Sequence, residues 1–351
     1  MSRSIDDLET PCVLIDLDRV EANLKRAQEH ANANGYALRP HIKTHKLPRF
    51  AKRQVELGAT GITVQKLGEA EVMADAGLSD IFLPYNILGE SKLKRLRALN
   101  DRVTIAVTAD SPDTVAGYAR TFATGKPLTV LVECDTGSNR CGVQTAAQAL
   151  ALARQIEQAP GLKFGGLMTY PPAKKLDHTE AWLREAIDLL NQAGIAVPKV
   201  TSGNTPDMWR TGQSVVTERR PGTYIYYDRM QVAAGAASED DCALTVLATV
   251  VSRPTPNRIV LDCGSKSLST DIGTLTGYGQ LMGTGITLKY VNEEHGVIEL
   301  EQPSDTPRIG ERVRVIPNHV CVVSNLFDKV NLIQGDRVVD TVPVAARGRV
   351  D

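Results

Sequence analysis

From about residue 13 to 228 the chain alternates short apolar, β-branched runs with longer amphipathic stretches. Apolar residues spaced three and four apart predict helices over residues 19–33, 67–76, 146–158 and 179–193. Eight runs read as strands: 37–44, 61–65, 80–85, 103–108, 128–135, 164–170, 197–202 and 220–227. Several are continuously apolar, as parallel strands covered on both faces are. Eight strands with intervening helices is the count of a (β/α)8 barrel, although a doubly wound open sheet shares the alternation. After about residue 240 the pattern changes. LTVLATVVSRPTPNRIVLDCG, TLKYVNEEHGVIELE, ERVRVIP and NLIQGDRVVDTVPV read as strands joined by turns, with NEEHG and QGD as hairpin connections. The expected architecture is α/β: a TIM-type barrel over 13–235 and a second, mainly antiparallel β domain over 236–351, joined by residues 1–12.

Composition narrows the partners. The 351 residues carry 40 Lys+Arg and 41 Asp+Glu, a net charge of −1, which offers nothing to attract nucleic acid or an anionic membrane. The hydrophobic share of 42% and charged share of 23% are ordinary for a folded domain. No apolar run approaches the ~20 residues that span a bilayer, and the N-terminus lacks a basic-then-apolar signal pattern. The six cysteines are scattered without a CxxC pair, so a cytoplasmic protein with reduced thiols is expected.

Three segments carry candidate chemistry. In RPHIKTHK, alternation along a strand would place His41, Lys43 and His45 on one face at a strand end. A partly desolvated Lys43 there would suit imine formation, and a plain basic strand end is the equal alternative. Thr201–Pro206 (TSGNTP) and Arg220–Tyr224 (RPGTY) follow the expected seventh strand and open the eighth. Loops after these two strands commonly build the phosphate site of a barrel, so Ser202, Gly203, Asn204, Thr205, Gly222 and Thr223 are a candidate phosphate cup with Tyr224 beside it, two ordinary glycine turns being the alternative that the family resemblance below weighs against. His319 and Cys321 stand i, i+2 after the strand RVRVI, where an extended backbone would point both the same way. Imidazole with thiolate suits Zn²⁺. From the residues alone, a turn histidine beside a buried core cysteine is the better reading.

Thr10-Pro11, Leu14-Ile15-Asp16-Leu17-Asp18, the RPHIKTHK segment and Gln65-Lys66-Leu67-Gly68-Glu69-Ala70 resemble the D-threonine aldolase / D-serine dehydratase family. Its members are pyridoxal-phosphate enzymes of the alanine-racemase-like fold. The resemblance implies that Lys43 is the imine-forming lysine and that the protein is a homodimer. It implies that Arg140, in DTGSNRCG, and Gln65 contact the cofactor ring, that Tyr170 faces the cofactor, and that His319 and Cys321 bind a divalent metal. In this family H-x-C accompanies zinc in dehydratases, and H-x-D a harder ion such as Mn²⁺ or Mg²⁺ in aldolases. The basic residues of RPHIKTHK, SNRCG and ERRPG then gather where an anionic cofactor would sit.

The chain departs from the family pattern after Tyr170. No histidine follows directly. The sequence runs Pro171-Pro172-Ala173-Lys174-Lys175-Leu176-Asp177-His178, so His178 either replaces the base or merely opens the next helix. The expected activity is metal-assisted cleavage of a β-hydroxy D-amino acid, with D-threonine aldolase chemistry first and D-serine or 3-hydroxy-D-aspartate dehydration as the alternative. A racemase or epimerase, and a non-catalytic pyridoxal-phosphate carrier, are the remaining readings.

Overall fold

The computed structural model describes residues 3–351. Its contacts group the chain into two units. One comprises residues up to Arg26 with Thr44–Lys46 and Thr223–Gly348; the other comprises Ala27–Lys43, Leu47–Gly222 and Arg349–Asp351. The division therefore differs from 13–235 and 236–351. Strand Cys12–Asp16 finds its hydrogen-bonding partners in the second sheet, and the eighth barrel strand ends before Thr223.

The second of these units is the barrel. Its parallel strands are, in chain order, Ala37–Leu38, Ile62–Thr63, Asp80–Leu83, Thr104–Ala109, Leu128–Cys134, Leu162–Thr169, Val200–Ser202 and Glu218–Arg219. Each pairs with the next from the second to the eighth. The eighth pairs back onto the first, with Ala37 opposite Glu218. A parallel bridge between His41 and Thr63 joins the first to the second, so no strand edge is left open. The central strands are buried on both faces: Val130, Leu131 and Val132 are all buried, as their uninterrupted apolar run requires.

The expected helices form as Leu17–Ala33, Leu67–Asp75, Ala146–Gln158 and Leu176–Gln192. Three more, Pro48–Glu56, Glu90–Arg102 and Pro112–Phe122, complete the alternation without having been singled out. Their starts are set by local chemistry. Ser111 accepts the Thr114 N–H ahead of Pro112, and Thr145 forms a capping box with Gln148. The connection from the seventh to the eighth strand, residues 203–217, contains no helix.

The first and eighth barrel strands depart most from their sequence runs. The run 37–44 yields only Ala37–Leu38, and the run 220–227 holds no strand, because the eighth strand is Glu218–Arg219 just before it; the 3₁₀ turns Ile42–Thr44 and Thr223–Ile225 follow. Pro40 and Pro221 explain both endings, because proline has no N–H to extend a ladder.

The other unit is a nine-stranded, mostly antiparallel sheet. Its longest strand, Leu244–Thr255, pairs with Cys12–Asp16, Arg258–Leu261 and Arg312–Ile316. Cys12–Asp16 also pairs in parallel with Lys329–Gln334. The expected hairpins form: Asn292 N–H bonds His295 O across NEEHG, and Gly335 takes φ 56 between Lys329–Gln334 and Arg337–Pro343. Among the described residues no helix is long and apolar enough to cross a membrane.

A buried ion pair ties the first barrel strand to the eighth. Arg39 and Glu218 are 4% and 2% exposed, with Nε 2.8 Å from Oε2. Lys199 Nζ and Thr201 Oγ1 also donate to Glu218, at 2.9 and 2.8 Å, and Arg39 Nη1 reaches Asp80 at 2.7 Å. Burial alone would raise the Glu218 carboxyl, but the charges of Arg39 and Lys199 hold it below its ordinary value of 4.5. Its contribution to stability is thus complete above that value and is lost as the pH falls below it. Glu218→Ala should lower the unfolding free energy by about 3 kcal/mol in urea titrations near neutral pH, because it leaves buried cations under-compensated. A loss below about 1 kcal/mol would show that Asp80 alone satisfies Arg39.

Candidate active site

The lysine segment leaves the first barrel strand through a tight turn. His41 N–H bonds Pro221 O at 2.9 Å, and the backbone then winds into Ile42–Thr44. His41, Lys43 and His45 therefore do not alternate along a strand, and the expected common face does not form. A 3₁₀ turn advances three residues per turn, not two. The turn instead places the half-buried Lys43 just past the strand end, with its amide 3.4 Å from His41 Nδ1. With Nδ1 accepting, His41 Nε2 donates to Gln65 Oε1 at 3.0 Å. Gln65 is held in turn by its own N–H on the buried Glu69 carboxylate, 2.7 Å away. His41 and Gln65 thus form a braced pair beside the lysine.

A second group gathers where the fifth and sixth strands end. Asp135 accepts the N–H groups of Gly137 and Asn139 at 2.9 and 3.1 Å, which winds the DTGSNRCG loop around its carboxylate. That loop carries the Arg140 guanidinium to 4.6 Å from the Tyr170 ring centre, and Ser138 Oγ donates to Tyr170 O at 2.6 Å. A Cβ built on Gly137 would lie 3.8 and 3.9 Å from two atoms of the His178 ring. The loop therefore meets Tyr170 through Ser138 and Arg140, and lies against the His178 ring at Gly137. His178 is exposed and sits in the first turn of Leu176–Gln192.

Two buried charges in the barrel were not anticipated as site residues. Arg220 donates to Thr201 Oγ1 at 2.6 Å and to Thr169 O at 2.9 Å, and burial lowers its pKa to about 10. Glu133 accepts from Thr108 Oγ1 at 3.2 Å; burial weakens its acidity, against the pull of Arg140 and Arg220. The signal that could have found them was a charge in an otherwise apolar strand (Glu133) and the pairing of Arg219 with Arg220 after a short run.

The candidate phosphate cup is a close approach of two loops. Arg220 N–H bonds Ser202 O at 2.9 Å, and Gly222 N–H bonds Thr205 Oγ1 at 3.3 Å. A Cβ on Gly203 would come within 2.6 Å of the Arg220 backbone nitrogen, so only glycine admits this approach. The Asn204 side chain is committed elsewhere, donating to Pro171 O and Asp207 Oδ2 and accepting Asp207 N–H. Its backbone N–H is what it can offer an anion. Thr223 and Tyr224 open the next turn, with Tyr224 fully buried.

In the β unit, His319 and Cys321 do not alternate on a strand either. Strand Arg312–Ile316 stops at Pro317, His319 caps the helix Val320–Leu326 in extended conformation, and Cys321 is that helix's second residue. The pair still meets through a side-chain hydrogen bond. Burial alone would lower the His319 pKa, but that bond, the Cys321 charge and Asp271 carry it to about 10. His319 Nδ1 lies 2.5 Å from Asp271 Oδ2, and Thr44 Oγ1 and Thr223 Oγ1 lie 3.2 and 3.7 Å from Cys321 Sγ. Among the described residues no three His, Cys, Asp or Glu side chains are arranged to hold a metal. The imidazole–thiol pair therefore fits an open zinc-type site whose other positions fall to water or substrate, not a closed structural one. Asp271 and Thr44 are separated from their partners by 48 and 277 residues, so no local motif announces them.

A closed parallel barrel with a lysine turn at a strand end, a glycine-lined loop pair and a second β unit carrying a His–Cys pair defines a barrel enzyme of the alanine-racemase-like class. Residues 15–230 match the family described as alanine racemase, N-terminal domain, and residues 243–333 match the putative serine dehydratase domain. The chain belongs to this family, in the group of D-threonine aldolases and D-hydroxyaspartate dehydratases. It is 34% identical to the D-threonine aldolase of Arthrobacter sp., covering 97% of this chain and 93% of the relative. It is 32% identical to the D-threo-3-hydroxyaspartate dehydratase of Delftia sp., over 97% and 98%. The solved D-threonine aldolase of Filomicrobium marinum superimposes with a TM-score of 0.91 at 30% identity, covering 100% of this chain and 99% of that one. A cysteine-to-alanine mutant of D-threo-3-hydroxyaspartate dehydratase, described as metal-free, superimposes with a TM-score of 0.89 at 30% identity, over 97% and 98%.

Gly203→Ala should push the two cup loops apart and weaken pyridoxal phosphate binding at least tenfold, read by equilibrium dialysis of the folded protein. Unchanged affinity would remove these loops from the phosphate site.

Proposed function

We propose that this chain is a pyridoxal-phosphate- and divalent-metal-dependent lyase acting on β-hydroxy D-amino acids, with retro-aldol cleavage to glycine and an aldehyde as its first reaction. The observation that carries the proposal is the turn that sets Lys43 past the first strand beside the braced His41–Gln65 pair. It lies in a chain aligned almost end to end with a D-threonine aldolase. The glycine-limited approach of Gly203 to the Arg220 backbone draws the two loops together, which suits a phosphate shared between them.

When bound, pyridoxal phosphate supplies an electron sink for negative charge developing at the substrate Cα. Lys43 Nζ would hold the cofactor. Backbone N–H groups of Ser202, Gly203 and Asn204 would receive the phosphate, with Gly222 held beside them by the N–H it donates to the Thr205 hydroxyl. Arg140, held against Tyr170, would face the cofactor ring together with Gln65 and His41. His178 Nε2 or Nδ1 accepts the proton of the substrate β-hydroxyl, and its position beside Gly137 and Tyr170's loop partner supports that role. His319 and Cys321 would hold the cation, which would supply Lewis acidity.

Cys321 favours a second reading. A thiol ligand selects zinc over Mn²⁺ or Mg²⁺, and the family's H-x-C form accompanies dehydration. In that reaction Lys43 Nζ takes the α-proton and water leaves, without need of His178. We propose in either case a cytoplasmic homodimer, in keeping with the family resemblance.

D-Threonine separates the two reactions. Glycine and acetaldehyde support the aldolase reading, whereas 2-oxobutanoate and ammonia support dehydration. Solvent deuterium entering Cα with inversion and no fragmentation would make the protein a racemase. Absence of all of these products from D-threonine, D-serine and 3-hydroxy-D-aspartate, with Zn²⁺ or Mn²⁺ added, would overturn the lyase proposal.

A further inference from the structure

We propose that Asp271 is the positioning residue of the metal pair: it holds the Nδ1–H of His319 and so presents Nε2 to the cation. The inference rests on the reading of His319 and Cys321 as metal ligands and adds the group that aims one of them.

An imidazole has two nitrogens, and the hydrogen bond made by one decides which is left for a metal. Here Nδ1 is 2.5 Å from Asp271 Oδ2. The other carboxylate near the ring is Asp228, but its two oxygens receive the N–H groups of Gln231 and Val320 at 2.9 and 3.0 Å. Asp271 is thus the carboxylate directed at the imidazole. A cation on Nε2 would lie across the ring from it, so Asp271 acts through His319.

The local backbone is shaped to bring Asp271 there. After the short helix Ser265–Leu268 the chain reverses at Ser269, a non-glycine residue held at φ 64. Ser269 Oγ accepts the Asp271 N–H at 3.2 Å, and Leu275 N–H closes a turn onto Ile272 O at 2.9 Å. A few residues on, Gly277 O accepts from Asn318 Nδ2 at 2.8 Å, which ties this segment to the residue directly before His319. The histidine turn is fixed from its other side too. Arg229 and Met230 N–H groups donate to Pro317 O and Asn318 O, and Arg229 Nη1 donates to Asn318 Oδ1 at 2.5 Å. Donor and acceptor therefore meet between two segments that are tied to each other through Asn318.

The test is zinc affinity of the cofactor-loaded, metal-stripped protein, titrated against a chromophoric chelator. Asp271→Asn should weaken Zn²⁺ binding 10- to 100-fold, the usual effect of removing such a partner. It should retain the cobalt–thiolate absorbance of Co²⁺-loaded protein, because Cys321 is untouched. Asp271→Glu should recover part of the affinity, which separates a carboxylate requirement from a general disturbance of the loop. Asp271→Asn binding zinc as tightly as the parent, while His319→Ala and Cys321→Ala lose it, would overturn the role of Asp271 and leave the metal pair standing. Equal zinc binding by the parent, His319→Ala and Cys321→Ala would instead remove the metal pair, and the inference with it.

Discussion

The barrel depends on the buried contact between Arg39 and Glu218, which locks the first strand to the eighth where the sheet closes on itself. Both strands are two residues long, so the ladder alone contributes few hydrogen bonds at this seam. The ion pair, reinforced by Lys199, Thr201 and Asp80, supplies the register that short strands cannot. Lys43 lies four residues beyond Arg39, and Gly222 four beyond Glu218. Fixing the two charges side by side therefore fixes the lysine turn next to one lip of the candidate phosphate cup, with His41 N–H on Pro221 O continuing the seam.

The barrel and the β unit hold their candidate groups by the same physical device, a strand stopped by proline and continued as a tight turn or helix. Pro40 precedes the lysine turn, Pro221 precedes the Thr223 turn, and Pro317 precedes the His319 cap. Functional side chains set on such turns project beyond the strand ends while the strands below remain packed. Among the described residues no three His, Cys, Asp or Glu side chains are arranged to enclose a cation, so a metal on the proposed His319–Cys321 pair would keep open positions. That is the arrangement a Lewis acid serving a substrate oxygen needs, and a closed four-ligand site would forbid it.

Much of this was legible in the sequence. Continuous apolar runs such as 128–135 marked the buried parallel strands, and three- and four-residue spacing marked helices such as Ala146–Gln158. The change of pattern after residue 240 marked the second sheet. What misled was periodicity carried through proline: Pro40 and Pro221 lay inside runs read as strands, and alternation was then applied to residues that sit on 3₁₀ turns. The meeting of His319 with Cys321 was anticipated for a similar mistaken reason, since a helix cap brings them together. Asp271, Thr44 and Glu133 act through contacts formed only in three dimensions, and single-chain spacing carries no record of such contacts.

The central claim is that Lys43 is the residue this barrel was built to present. Reduction of the cofactor-loaded protein with borohydride, followed by peptide mass spectrometry, tests it directly. The account predicts one pyridoxyl group per chain, on Lys43, and none after Lys43→Ala. A label on Lys46 or another lysine, or a Lys43→Ala protein that is labelled as fully as its parent, would contradict it.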